Sequence, residues 1–389
     1  MAGFKLSHLV AGFLAVLVGY TSSVAIIFRA IEVVGATQAQ ANSWMLALGL
    51  GMGISGFLLS WLYKMPVLTA WSTPGAALLV ISLQGVSLPE ATGAFVFCAL
   101  LLLATGLTGW FETLSRLIPM PIASALLAGI LFRFGLEVFT SLQSDLPLVA
   151  VLCLTYLLGK RFFPRFGIPA VLAVGIVMSW ATGDFHSGEA LSLALAKPEF
   201  VMPAFSLPVL IGVGLPLYIV TMASQNVPGV AVMQAAGYEK PPVSASLVVT
   251  GLTSLILAPF GGYAFNLAAI TAAICANEEA DPDPRTRYRA ALVAGVIYCI
   301  VGLFGAAIIG LFLIAPKALI VTVAGLALMG TIGNGLSQAL ARPEQREAAL
   351  VTFMTTASGI AFLHIGAPLW ALIFGLITEA VLRPRRATA

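Results

Sequence analysis

Apolar runs of membrane length follow one another along nearly the whole chain, separated by short polar or Gly/Pro-containing breaks. At about 20 residues per crossing, the pattern predicts an all-α polytopic membrane protein of about 14 segments that cross or half-cross a bilayer. Their approximate positions are 9–33, 41–62, 66–84, 92–113, 120–140, 145–162, 166–183, 205–224, 242–258, 262–276, 289–314, 316–340, 346–363 and 366–383. The third and tenth are interrupted. In the third, Pro66-Val67-Leu68-Thr69-Ala70-Trp71 reads as extended chain and turns into a helix at Ser72-Thr73-Pro74-Gly75. Ser72 or Thr73 can cap that helix, and Pro74 suits its first turn because it has no N–H to leave unpaired. A helix starting in mid-membrane leaves backbone N–H groups that lipid cannot satisfy, so such a break must be packed in protein or line a polar cavity.

Composition fits this reading. Of 389 residues, 60% are hydrophobic and 9% charged, with a mean hydropathy of +1.02, more apolar surface than a soluble domain can hide. The first apolar run is membrane-length and lacks an A-x-A cleavage pattern, so it reads as a span and not as a cleaved signal. Cys98, Cys153, Cys275 and Cys299 all fall in apolar spans without metal-ligand spacing and read as small buried hydrophobes. No basic amphipathic arm suggests nucleic acid. With both termini cytoplasmic, only Arg29, Lys197 and Lys317 fall outside and Arg133 lies within a span, while the other basic residues are inside. This asymmetry implies an even number of spans.

The two halves can be laid over each other, with weak similarity, at a shift of roughly 200 residues that sets Pro66 on Pro259 and Thr73 on Asn266. Paired breaks in corresponding places of two halves point to a transporter site, and seven spans per half makes the repeats inverted across the membrane. Four segments would then converge: Tyr20-Thr21-Ser22-Ser23, Ser72 to Gly75, Ser224-Gln225-Asn226-Val227-Pro228-Gly229, and Phe265-Asn266 after Gly261-Gly262. The candidate substrate residues are Tyr20, Ser23, Ser72, Thr73, Gly75, Ser224, Gln225, Asn226, Phe265 and Asn266. Half-helices after Thr73 and Asn266 would bind an anionic head through free N–H groups and dipoles, without a buried Arg or Lys. Tyr20, Trp71, Tyr263 and Phe265 would supply an aromatic wall. Plainer readings stand beside these: a proline kink at Ser72–Gly75, interhelical hydrogen bonds by Gln225 and Asn226, and close helix packing at Ser22, Ser23 and Asn334.

Arg133 and Glu137 are four apart and can pair on one helix face. Glu32, Glu112, Arg116 and Glu379 sit near span ends, and His8, His186 and His364 in tails or loops. No metal-ligand cluster, nucleophile elbow or phosphate loop is present, so neither enzyme chemistry nor a metal or other cofactor is expected.

With Leu68-Thr69-Ala70-Trp71-Ser72-Thr73-Pro74-Gly75-Ala76-Ala77-Leu78-Leu79, Thr221-Met222-Ala223-Ser224-Gln225-Asn226-Val227-Pro228-Gly229 and Ala268-Ala269-Ile270-Thr271-Ala272-Ala273-Ile274-Cys275 in view, the chain resembles the bacterial benzoate:proton symporter (BenE) family over nearly its whole length. The resemblance implies a secondary carrier of the inner membrane that imports benzoate or a related aromatic carboxylate with protons. The architecture is similar to that of nucleobase and SLC26-type anion transporters. It implies seven-plus-seven inverted repeats, a core domain (1–113 and 205–314), a gate domain (114–204 and 315–389) and elevator-like movement between them. It leaves open a homodimer through the gate domain. Nucleobase carriers hold acidic residues on helices eight and ten. The matching positions here, near Ser224 and Phe265, carry none, which fits an anion and leaves Glu137 and Glu32 as the candidate proton carriers. The rivals are another anion or a purine-like solute on the same fold, and a passive channel, for which the spans offer no rings of charge.

Overall fold

Helix α1 (Leu6–Val33) bends by 40° between Leu6–Thr21 and Ser23–Val33. At the bend the hydroxyls of Thr21 and Ser23 bond back to the carbonyls of Leu17 and Gly19, at 2.7 and 2.8 Å, and compete with the helical ladder. The computed structural model describes residues 4–111, 113, 119–164, 166–184, 195–362 and 365–382; Glu112, Arg116, His186 and His364 lie outside them. Helix α2 spans Gln38–Tyr63 and ends in the left-handed Lys64. Strand β1 is Thr69–Ala70, and α3 (Thr73–Ser82) and α4 (Leu88–Thr108) follow. Next come α5 (Met120–Thr140), α6 (Leu146–Phe162) and α7 (Gly167–Thr182).

The eighth apolar run continues past the expected end near residue 224 to form α8, Leu207–Ala235. Pro216 and Pro228 explain how. Each removes an N–H and clashes with the carbonyl four residues back, and each follows a π-helical stretch, Leu210–Gly214 and Met222–Asn226, that absorbs the clash. Then come α9 (Val243–Leu257), β2 (Asn266–Leu267) and α10 (Ile270–Ala276). The expected eleventh span divides into α11 (Tyr288–Leu303) and α12 (Gly305–Ile314), and α13 is Lys317–Ala339. The thirteenth expected span is shorter than its pattern. Helix α14 (Arg346–Ser358) stops at Gly359 with φ of 65°, before a two-residue hairpin of β3 (Ala361–Phe362) and β4 (Ile365–Gly366) that leads into α15 (Ala367–Leu382).

Among the described residues, six helices are long and apolar enough to cross a membrane, or seven with the bent α1. The protein is therefore a mostly helical, polytopic membrane protein. Two packing groups are visible. Helix α2 runs along α11 and α4 along α9, while α5 lies against α13 and α14, and α14 against α15. In the α2–α11 seam a Cβ on Gly49 would fall 2.4 Å from the Cα of Gly302, the close approach that small residues permit between membrane helices.

The two short strands lie within the first group. They pair antiparallel, Thr69 opposite Leu267 and Ala70 opposite Asn266, and the Ala268 N–H adds a bond to Leu68 O at 2.9 Å. Thr69 ties β1 to α2 by donating to Met52 O at 2.9 Å and meeting Ser55 Oγ at 2.8 Å. On the other side Ser254 Oγ of α9 accepts from Phe265 N at 3.0 Å. Backbone groups that would be stranded in mid-bilayer are thus satisfied by one another and by neighbouring hydroxyls.

Candidate functional site

Helices α3 and α10 start immediately after the paired strands, and a small cavity of about 90 Å³ opens where they begin. Thr73 and Pro74 of α3, Ile270 and Thr271 of α10, Ser23 of α1 and Gln225 of α8 line it. Trp71 and Tyr298 add aromatic surface, and Leu131 of α5 with Leu328 and Thr331 of α13 closes the opposite side. The lining contains no carboxylate, ammonium, guanidinium or imidazole. Thr73, Gln225 and Thr331 make no side-chain hydrogen bond among the described residues, so their capacity is open to a ligand. A wider vestibule of about 560 Å³ adjoins the cavity and shares Gln225, Ala269, Ile270 and Thr331 with it. It runs between α8 and the pair α5 and α13 as far as Met120, Ala235 and Gln338.

The two half-helices are capped differently. Ser72 Oγ accepts from Gly75 N at 3.0 Å, takes a bond from Thr221 at 2.9 Å, and is fully buried, so α3 spends its cap internally. Gly75 lies against Ser72 and Leu217, where a Cβ would come within 2.7 Å of either. Helix α10 has no side-chain cap, and its first residues line the cavity.

The ten expected site residues divide into lining and support. Ser23, Thr73 and Gln225 face the cavity, and Ser224 lines the vestibule, its hydroxyl bonded back to Val220 O. Tyr20 stands behind the wall, edge-on to Trp71 with centroids 4.8 Å apart, while the Trp71 indole N–H donates to Ser23 Oγ at 2.8 Å. Asn226 is fully buried. Its Oδ1 accepts from Leu267 N at 2.9 Å and its Nδ2 faces Met222 Sδ at 3.4 Å, so it pins β2 to α8. Asn266 sits inside β2, three residues before Ala269, the N-cap of α10, and its Nδ2 returns to Ala264 O at 2.9 Å. Asn266 is thus a strand residue paired with Ala70, and the residue that starts α10, as Thr73 starts α3, is Ile270. Phe265 is buried against Gly51, and Tyr263 packs with Trp44 and Phe95, so the aromatic surface of the cavity comes from Trp71 and Tyr298.

Glu137 and Glu32 are outside the cavity lining. The carboxylate of Glu137 bonds Arg29 of α1, not Arg133 one turn away on its own helix, because Arg133 lies over Gly359. Sequence reading missed Thr271, Tyr298, Leu131, Leu328 and Thr331. Thr271 stood inside one of the motifs, but Thr331 lies in a Gly-rich seam that reads as helix packing, and the others are single residues on apolar helices.

The cavity opens between the starts of two strand-paired half-helices of a polytopic membrane protein. Solved structures share the overall fold. The murine Solute Carrier 26 family member A9 anion transporter in its inward-facing state matches with a TM-score of 0.60 at 13% identity, covering 98% of this chain and 68% of that one. The transmembrane domain of a cyanobacterial bicarbonate transporter, BicA, matches at 0.55 and 15% identity, covering 97% and 96%. The chain belongs to the BenE family, described as benzoate membrane transport protein, which matches residues 2–381. Inner membrane protein YdcO of Escherichia coli (strain K12) is 49% identical over 374 residues, 96% of this chain and 95% of the relative. The benzoate membrane transport protein of Acinetobacter baylyi is 36% identical over 386 residues, 99% and 97% of the two chains. The protein is a membrane transporter and not an enzyme.

Proposed function

We propose that this protein imports benzoate or a closely related aromatic carboxylate across the bacterial inner membrane together with protons. The observation that carries this reading is the cavity itself: an uncharged chamber between two helix starts, with aromatic and aliphatic walls and unspent polar side chains. The carboxylate sits at the starts of α3 and α10, where first-turn N–H groups and the dipoles favour an anion. Thr73, Thr271 and Gln225 donate to it. The ring lies against Trp71 and Tyr298 on one side and Leu131 and Leu328 on the other. Asn226 acts one step back, holding β2 and hence the start of α10.

The two packing groups support a core domain (1–113 and 205–314) moving against a gate domain (114–204 and 315–389) in an elevator-like cycle. Fourteen segments as seven-plus-seven inverted repeats account for the paired half-helices. With both termini cytoplasmic, the vestibule leads toward the cytoplasm, since Met120, Ala235 and Gln338 adjoin the basic loops. No acid lines the chamber, so the proton travels on Glu137, on Glu32 or on the substrate itself.

A thermal-shift screen of the purified protein tests the substrate class. Substituted benzoates should raise the melting temperature in a concentration-dependent way, because a ligand that binds only the folded state stabilises it by mass action. Stabilisation by nucleobases or bicarbonate, with none by aromatic acids, would overturn the assignment.

A further inference from the structure

Helix α1 packs mainly on α11, α10 and α3 and so goes with the first packing group, and the Arg29–Glu137 pair joins it to α5 of the second at the end remote from the vestibule. Arg29 lies in the last turns of α1 and Glu137 in the last turns of α5. One guanidinium nitrogen donates to Glu137 Oε2, and the other lies 3.4 Å from Oε1. The same guanidinium covers the ring of Phe134, one turn earlier on α5, at 5.2 Å. Arg29 therefore grips α5 twice. Glu137 has a local partner at the right spacing in Arg133, yet its carboxylate bonds across to α1. Neither member touches the cavity or the vestibule. Their side chains keep 20% and 38% of their surface exposed, so the pair can break and rehydrate without stranding a buried charge. The carboxylate of Glu32 on α1 also lies within electrostatic reach of Arg29 and of Lys317 at the start of α13.

We infer that Arg29 and Glu137 form an outer latch: the pair holds the non-cytoplasmic side shut while the vestibule is open, and it must part before the cavity can face outward. This rests on the core-and-gate reading above. It adds that a breakable charge pair contributes to holding the outer side closed, so the populations of the two states shift when that pair is removed.

The test replaces all four native cysteines with alanine, places a reporter by Ala327→Cys in the cavity wall, and follows its labelling by a membrane-impermeant thiol reagent added from outside. Removing one charge, by Glu137→Gln or Arg29→Gln, should raise the outside labelling rate about threefold, the shift expected from losing one partly exposed ion pair. Exchanging the charges, Arg29→Glu with Glu137→Arg, should return the rate to that of the parent. Unchanged rates in correctly folded Glu137→Gln protein, judged by size-exclusion profile, would overturn the latch, as would a charge exchange that stays fast. Glu137→Gln keeps the side-chain shape, so a failure of Arg29→Gln to fold would leave the comparison intact. Benzoate-induced thermal stabilisation of the parent is measured alongside. Its absence would remove the substrate assignment while leaving the labelling comparison valid.

Discussion

Gln225 and Asn226 are neighbours on one helix, yet Gln225 lines the cavity while Asn226 bonds the backbone of β2, and alanine at each should separate the proposed contact with substrate from support of the fold. Asn226 Oδ1 is the acceptor for Leu267 N at 2.9 Å, in a place where Asn226 is 0% and Leu267 2% exposed. Asn226→Ala leaves that N–H unpaired away from water, at a cost of about 1–3 kcal/mol. The expected result is a melting temperature lower by a few degrees, roughly as such a loss converts in a large domain. Gln225 lines both cavity and vestibule. Gln225→Ala removes one hydrogen bond to a charged carboxylate, about 1.5–3 kcal/mol, or roughly 10- to 150-fold in Kd, with the melting temperature of the empty protein unchanged. Calorimetric titration with benzoate and thermal unfolding in the same detergent read both quantities for both variants. Asn226→Ala protein that melts like the parent but loses affinity, beside Gln225→Ala protein that binds normally, would reverse the two assignments.

Three further outcomes follow from contacts away from the lining. Gly51→Ala should destabilise the protein by about 1–3 kcal/mol through overpacking, since a Cβ there falls 2.2 Å from the buried Phe265 ring; a parent-like thermal melt would contradict it. Asp281 lies in the loop after α10, where Lys5 above all, at 2.8 Å, holds its carboxyl well below the usual carboxylate range, with buried His8 bonded at 2.9 Å. Its stabilising effect is therefore complete at neutral pH and fades only as the pH falls below about 4, the unfolded-state value; Asp281→Asn should lower stability at pH 7 and lose that deficit in strong acid, and a deficit that grows with acid would contradict the assignment. Leu131→Ala should enlarge the ring-binding wall and improve affinity for two-ring carboxylates relative to benzoate, read by competition binding; an unchanged ratio would remove Leu131 from the wall.

The positions of the broken segments were legible because backbone chemistry dictates them. Ser72 as a cap with Pro74 in the first turn favours a helix start, and Pro66 upstream disfavours a continuous helix. The second break was legible as a break but not in register. Asn266 looks like a cap in sequence, yet β1 recruits it as a strand residue, and Asn226 and Ser254 fix that register from outside the segment. The length of α8 was hidden for a related reason. Pro228 reads as a terminator, while in three dimensions a π-helical stretch absorbs it and carries the helix eleven residues beyond the expected end. Thr331 and Leu131 could not be found from sequence because nothing local marks them. They belong to the site only because α5 and α13 face the starts of α3 and α10. Glu137 was conspicuous, but its partner was not, since Arg29 is 108 residues away.

Coupled import through the chamber between the half-helices can be measured as uptake of radiolabelled benzoate into proteoliposomes, with the external concentration of ionised benzoate held constant and the inward proton gradient present or absent. Benzoate is ionised at neutral pH, so import against a negative interior needs a driving ion. Uptake should accelerate when the outside is acidified, proceed without sodium, and fall in Gln225→Ala protein. Uptake that is the same with and without the gradient would contradict symport and leave a facilitated uniporter on the same scaffold.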